Sequence, residues 1–407
     1  MSKVMFESKA AIIVCFVVIV NLCLCVCHAI LPPDPDNAAL LYYQAFLQVP
    51  EQDSEVAASL NNVLDGAAPD QTTRHYLDLC GDAFDYIEIA SQRTNCHWGV
   101  MYSEGYATKQ PQLQKIQHMI RLLKADIYVR ASDRDYEGAL NRCMTTYRFA
   151  SHVGALGPRL SSVFSIGTER SALRSIQHVL GSELLEQETL LRLRSQLASA
   201  KGIPISYGNS LELDLAMALQ SLRSMPDLIQ LIRNNLENSA DAVLTDEALV
   251  RLASEPYRQF LGAVYKIVDS ERSYEQKYES ISTLVVELKA GDWYESIGRV
   301  GIGDANLPLS LYGHLVRLHA DLNATKAAID IYLAVSKTGQ VPASLPKYLP
   351  KDPFSGLDFE YEVVEAGFII RCKEKDLHQC PLPLPRLGDE PSETYEIPEY
   401  FFVLKQN

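Results

Sequence analysis

The sequence predicts a mainly α protein of stacked antiparallel helix pairs, in the manner of a helical repeat, with a small β-containing C-terminal subdomain. Three observations carry this. Leu113, Ile116, Ile120, Leu123 and Ile127 recur at three- and four-residue steps, giving one apolar helix face. Ser132-Asp133-Arg134-Asp135 breaks that pattern and offers capping oxygens, and Tyr136, Leu140, Cys143, Met144, Tyr147 and Ala150 then form a second face. So short a turn makes the two helices antiparallel neighbours, and much of the chain repeats this pattern without a crisp sequence period. From Gly339 onward the character changes: Pro342, Pro346, Pro350 and Pro353 exclude a continuing helix.

The first thirty residues set the compartment. Lys3 and Lys9 precede residues 10–30, which are apolar except for Asn21 and His28, and Pro32-Pro33 closes the run. Two readings stay open. About 20 apolar residues suit a transmembrane helix anchoring the protein in the cell membrane, with the Lys-bearing end cytoplasmic. Cys27-His28-Ala29 also supplies small residues for cleavage of a signal peptide near Ala29, followed by secretion. Either way the bulk of the chain is exported to the cell envelope. Residues 31–338 form the expected helical domain and 339–407 the proline-rich subdomain.

Within the helical domain, Asn37 caps a helix carrying Leu40, Leu41, Tyr43, Ala45 and Phe46, which Pro50 ends. Further helices are expected over 51–64 and over 72–93, the latter with Tyr76, Leu79, Cys80, Phe84, Ile87 and Ile89. Residues 94–110 are irregular. After the pair at 113–153 come helices at 160–180, 183–200 and 211–223, and shorter ones at 228–236 and 246–253. Pro256 suits the first turn of a long helix reaching about residue 288. Residues 293–304 are irregular, and 309–335 is a helix or helix pair. In the C-terminal subdomain, 357–361 alternates as a half-buried strand, Ala366-Gly367 makes a turn, 368–371 returns, and 395–404 supplies an edge strand.

The 407 residues are 47% hydrophobic with a net charge of −14. That acidity opposes a broad phosphate-binding surface, so no nucleic acid is expected as a partner. Four of the nine cysteines lie in the apolar segment, leaving Cys80, Cys96, Cys143, Cys372 and Cys380, an odd number. If one helix runs to residue 93, Cys80 lies too far from Cys96 for a disulfide. Cys372 with Cys380 is the disulfide candidate, stapling a loop after a strand.

Recognised catalytic spacings are absent. The sequence holds no Gly-x-x-x-x-Gly-Lys-Ser/Thr, Gly-x-Ser-x-Gly, His-Glu-x-x-His, Glu-x-x-His or Cys-x-x-Cys. No catalytic set, metal or cofactor is therefore expected. Ser344-Leu345-Pro346-Lys347 matches Ser-x-x-Lys, but Pro346 denies it the helical turn that chemistry requires. One constellation remains. Asp82, Asp85 and Glu88 fall at three-residue steps on one helix, and His97, Trp98 and Tyr102 follow in the irregular loop. These residues read either as a binding pocket with acidic walls and an aromatic floor, for a cation or a sugar, or as a solvated acidic face beside a tryptophan that pins the loop. Convergence of Asp85 with His97 in a concavity would favour the pocket.

Two resemblances follow from quoted motifs. Asn37-Ala38-Ala39, Cys96-x-Trp98, Phe149-Ala150-Ser151-His152-Val153-Gly154 and Asp352-Pro353-Phe354-Ser355-Gly356 occur in that order. The order resembles a group of uncharacterised, exported, helix-rich bacterial proteins, which implies architecture and compartment but no activity. Residues 323–361, with Ala328-Ile329-Asp330-Ile331-Tyr332 and Gly339-Gln340-Val341-Pro342, are similar to the periplasmic region of type II secretion pseudopilins. That similarity implies a helix packed on a small sheet. The expected function is an envelope scaffold acting through protein partners. The alternative is an envelope hydrolase or carbohydrate-binding enzyme using residues 82–102.

Overall fold

The computed structural model describes residues 35–157, 159–199, 207–224, 226–235, 244–291, 305–346, 348–378 and 397–404. The chain divides into two compact units, Met1–Asp36 and Asn37–Asn407. Residues 10–30 lie outside the described residues; no helix among those described is long and apolar enough to cross a membrane.

The fold is mainly helical, with antiparallel helix pairs and a three-stranded sheet near the C-terminus. Helices of unequal length fit a repeat only loosely. Helix α1 (Ala38–Gln48) starts at Asn37, whose Oδ1 accepts from the Ala39 N–H at 3.2 Å. Helix α2 (Ser54–Leu64) begins later than expected, because Asp53 caps it through the Val56 N–H. The helix expected over 72–93 is two: α3 (Gln71–Leu79) and α4 (Gly81–Ser91). At Cys80 the N–H bonds Leu77 O at 3.1 Å, a tightened last turn, and glycine at 81 weakens continuation.

The organising pair is as expected. Helix α5 (Gln112–Ser132) and α6 (Tyr136–Gly154) flank a turn in which Asp135 caps α6 through Gly138 N–H. Buried Asp126 on α5 accepts from Arg142 Nε of α6 at 2.7 Å and from Arg130 Nε at 2.9 Å. The Arg142 guanidinium also lies 4.6 Å over the Phe84 ring, so one ion pair joins three helices.

Next come α7 (Arg159–Leu180), α8 (Gln187–Ser199), α9 (Tyr207–Ser224) and α10 (Pro226–Asn235). Helix α11 (Asp246–Val268) holds Pro256 in its interior rather than its first turn, since Thr245 Oγ1 already caps its start. The break falls instead at Ser273, where a reciprocal capping box with Gln276 opens α12 (Tyr274–Ala290). Helix α13 (Leu307–Thr338) is one 32-residue rod ended by Gly339 at φ 70.

Strands β1 (Glu360–Val364), β2 (Gly367–Arg371) and β3 (Glu399–Val403) pair antiparallel in that order. Phe368, Ile370, Tyr400 and Phe402 face inward and share a core with α13, where Tyr332 and Phe368 rings lie 5.6 Å apart. The Asp352-Pro353-Phe354-Ser355-Gly356 segment lies in the connection between helix and sheet. Its fully buried Asp352 carboxylate accepts from Phe354 N, Ser355 Oγ and Lys373 N. Phe354 plugs the core against Tyr274, at 4.8 Å between ring centroids. The motif is thus a turn around one buried carboxylate, which also ties the turn to Lys373, just after β2.

Candidate functional site

The residues singled out from sequence do not assemble into a pocket. Asp82, Asp85 and Glu88 all point to solvent from α4, and His97 is exposed on its loop. Trp98 is 5% exposed and serves as a pin. Its ring stacks on Tyr42 at 5.4 Å and Phe46 at 6.4 Å, while Nε1 donates to His152 O at 2.8 Å. His97 contributes its backbone: Asn37 takes its N–H at 2.8 Å and donates to its C=O at 2.9 Å. Tyr102 donates to Leu156 O and fastens the short 3₁₀ turn that follows. Asp85 and His97 do not converge, so this region is a solvated acidic face beside a tryptophan-pinned loop. Cys372 is buried with a free thiol, and Cys380, its expected partner, lies outside the described residues.

Sequence reading missed the most highly charged part of the core. Arg170 on α7 donates through Nε to Asp321 Oδ2 on α13 at 2.7 Å, with side-chain exposures of 1% and 0%. Asp321 Oδ1 accepts from Tyr400 OH of β3 at 2.8 Å and lies 3.3 Å from Arg317 Nε. Arg317 reaches Asp376 at 3.4 Å and rests 5.9 Å over the Tyr400 ring. His314 and His378 pack edge to face beside this chain of charges, 4.6 Å apart. Burial pushes His314 down to about 3, with cationic neighbours assisting. No motif signals such a network: its members come from four segments, and isolated Arg and Asp residues in helices ordinarily read as surface.

Above this network the surface is concave. A cleft of about 530 Å³ lies between α7 and β3, with Arg174, His178 and Ser182 on one wall, Tyr400 and Phe401 on the other, and Arg317 at its floor. A second hollow of about 840 Å³ adjoins it, bounded by α2, α5 and the loops that follow them. The two share His178 and Ser182, so they lie side by side as a trough of two hollows. Arg174 is exposed in it and makes no ion pair or hydrogen bond among the described residues. Burial pulls the Arg174 pKa down, with Arg170 and Arg317 adding to the effect and the Asp321 carboxylate opposing it. Among the described residues no cluster of His, Cys, Asp or Glu is placed to hold a metal ion. Comparison with known family models, curated proteins and solved structures finds no match for this chain.

Proposed function

We propose that this protein is an exported helical scaffold of the cell envelope that works by binding a protein partner. The observation that carries the reading is the pair of adjoining hollows over α2, α5, α7 and β3, which share His178 and Ser182. Its walls come from helix faces and loop ends, the geometry that suits a peptide or a partner's helix. The buried ion pairs Asp126–Arg142 and Arg170–Asp321 support the same reading, because each ties helices together. The apolar run at residues 10–30 and the resemblance to exported helix-rich proteins support the compartment.

The test uses the full chain in cells. A photo-cross-linking residue replacing Ser182, on the trough rim, should trap a discrete partner in the membrane or extracytoplasmic fraction. The same residue replacing exposed Glu279 on α12 should trap none. A freely cytosolic product, or equal trapping from both positions, overturns the reading.

A further inference from the structure

The edge of β3 explains more about the trough than its shape does. Leu404 N–H bonds Ala366 O at 2.8 Å, and Cys372 N–H bonds Pro398 O at 2.9 Å. With Phe402 opposite Phe368 and Tyr400 opposite Ile370, the even-numbered residues of β3 turn their backbone groups to β2. Glu399, Phe401 and Val403 therefore turn theirs to the other edge. The structure agrees at Val403, whose carbonyl accepts from Tyr332 OH at 2.7 Å on that side. The outward backbone groups of Glu399 and Phe401 take no hydrogen-bond partner among the described residues. Sheet edges of this kind are templates for another strand unless something covers them.

Charge states what the covering chain should carry. Among the described residues three guanidiniums, Arg170, Arg174 and Arg317, stand against two buried carboxylates, Asp321 and Asp376, in a protein of net charge −14. Glu399, the other carboxylate at the cleft, is already held by Arg371 at 2.6 Å. Arg174, on the wall facing that edge, is the one of the three with no ion pair among the described residues; it feels the Asp321 carboxylate that Arg170 and Arg317 already hold. The groove is short. A Cβ added at Gly181 would sit 3.7 Å from Val403 Cβ, so α7 closes on β3 there. From Arg174 to Gly181 the helix rises about 10 Å, room for roughly three extended residues.

We infer that the cleft between α7 and β3 binds an extended peptide segment of a partner, which adds to the β3 edge at Glu399 and Phe401, unpaired among the described residues, and pairs a carboxylate with Arg174. This rests on the scaffold reading and names the chemistry of its partner. Backbone bonds to Glu399 and Phe401 give affinity, and the guanidinium selects for the acidic group.

The test probes the full chain with an array of random heptapeptides, each made with a free and an amidated C-terminus. Bound peptides should share a carboxylate at a fixed position. Loss on amidation assigns it to the terminus, and retention assigns it to an Asp or Glu side chain. Two variants separate the contacts. Arg174→Gln removes the charge from an exposed position. Phe401→Pro removes an outward N–H without removing a bond to β2. Each should weaken selected peptides at least tenfold while the far-ultraviolet spectrum stays native. Should Phe401→Pro unfold, Arg174→Gln carries the test alone. Peptides without a shared carboxylate, peptides indifferent to Arg174→Gln, or an array that stays blank while inorganic phosphate binds would each overturn the inference. A blank array with undiminished cross-linking at position 182 would sink the cleft assignment and leave the scaffold standing.

Discussion

Arg170 and Asp321, 151 positions apart in sequence, are joined by a 2.7 Å hydrogen bond in a place where neither side chain is more than 1% exposed. The pair welds α7 to α13, and Tyr400 draws β3 onto the same carboxylate. Placing a carboxylate in a medium of low dielectric costs several kcal/mol unless its lone pairs are occupied. Here Arg170 and Tyr400 donate to them, and the Arg317 guanidinium adds its charge 3.3 Å away. The sheet that forms one wall of the trough therefore rests on a buried charge network rather than on apolar packing alone.

Removing one member should expose that cost. Asp321→Ala leaves Arg170 and Arg317 buried without their anion and is expected to lose about 3–5 kcal/mol. The double variant Arg170→Met with Asp321→Leu removes both charges and should recover most of the loss. Urea unfolding followed by circular dichroism measures both. A double variant no better than Asp321→Ala would show that the network stabilises through geometry that apolar side chains cannot replace.

Trp98 gives a second, local prediction. Its indole is sandwiched between Tyr42 and Phe46 and bonded to His152 O, so Trp98→Ala should cost about 3–5 kcal/mol. Trp98→Phe keeps much of the packing and strands the His152 carbonyl, for about 1–3 kcal/mol. Asn37→Ala should cost about 1–2 kcal/mol, losing the α1 cap together with both backbone bonds to His97. If all three variants unfold at the wild-type midpoint, Trp98 is not the pin described, and a binding role for it reopens.

How far each feature was legible depends on how local its cause is. Asn37, the 133–135 turn and Gly339 act within a few residues, and each sits where its capping chemistry places it. The helix break at Ser273 is also local: Ser273-x-x-Gln276 is a capping box, and it ends the rod expected to run from Pro256 to about residue 288. The split at Cys80 was weaker in sequence, since apolar periodicity runs through both pieces. The site failed for a different reason. Asp82, Asp85 and Glu88 share a face, as their spacing demands, but spacing cannot say that the face is wet. Arg174, Arg317 and the β3 edge are brought together only by tertiary packing of α7, α13 and the sheet, which no spacing rule encodes.

Two buried groups on neighbouring helices give opposite pH dependences. His152 Nδ1 and Tyr42 OH share a hydrogen bond of 2.7 Å, and burial pushes the His152 pKa down to about 4. The unfolded chain binds this proton near pH 6.5 while the fold refuses it until about 4. Stability should therefore fall as pH drops between those values, by up to about 1.4 kcal/mol per pH unit. Burial pushes Glu169 up to about 8, with Tyr147 and Ser165 bonded to it. Its fold keeps a proton that the unfolded chain releases near 4.3. Stability is lost to this group as pH rises from there to about 8. His152→Gln should make the acid limb shallower by one proton's slope, and Glu169→Gln should flatten the alkaline limb. Denaturant midpoints from pH 4 to 9 measure both, and unchanged limbs in either variant would place the proton uptake on another residue.

The four described cysteines provide the last test. Cys80, Cys96, Cys143 and Cys372 are all buried and free. Burial pushes the first two thiols up to about 12 and the other two higher still, with Asp352 adding to the effect at Cys372. At pH 8 a thiol with a pKa near 12 is ionised in roughly one molecule in ten thousand, and the thiolate is the reactive form. Native protein treated with iodoacetamide should thus leave all four peptides unmodified by mass spectrometry. The same treatment in concentrated guanidinium, without reductant, should label all four. The second condition separates burial from bonding: a Cys372 that stays unlabelled until reductant is added is held in a disulfide, restoring the pairing with Cys380 and removing the free thiol beside Asp352.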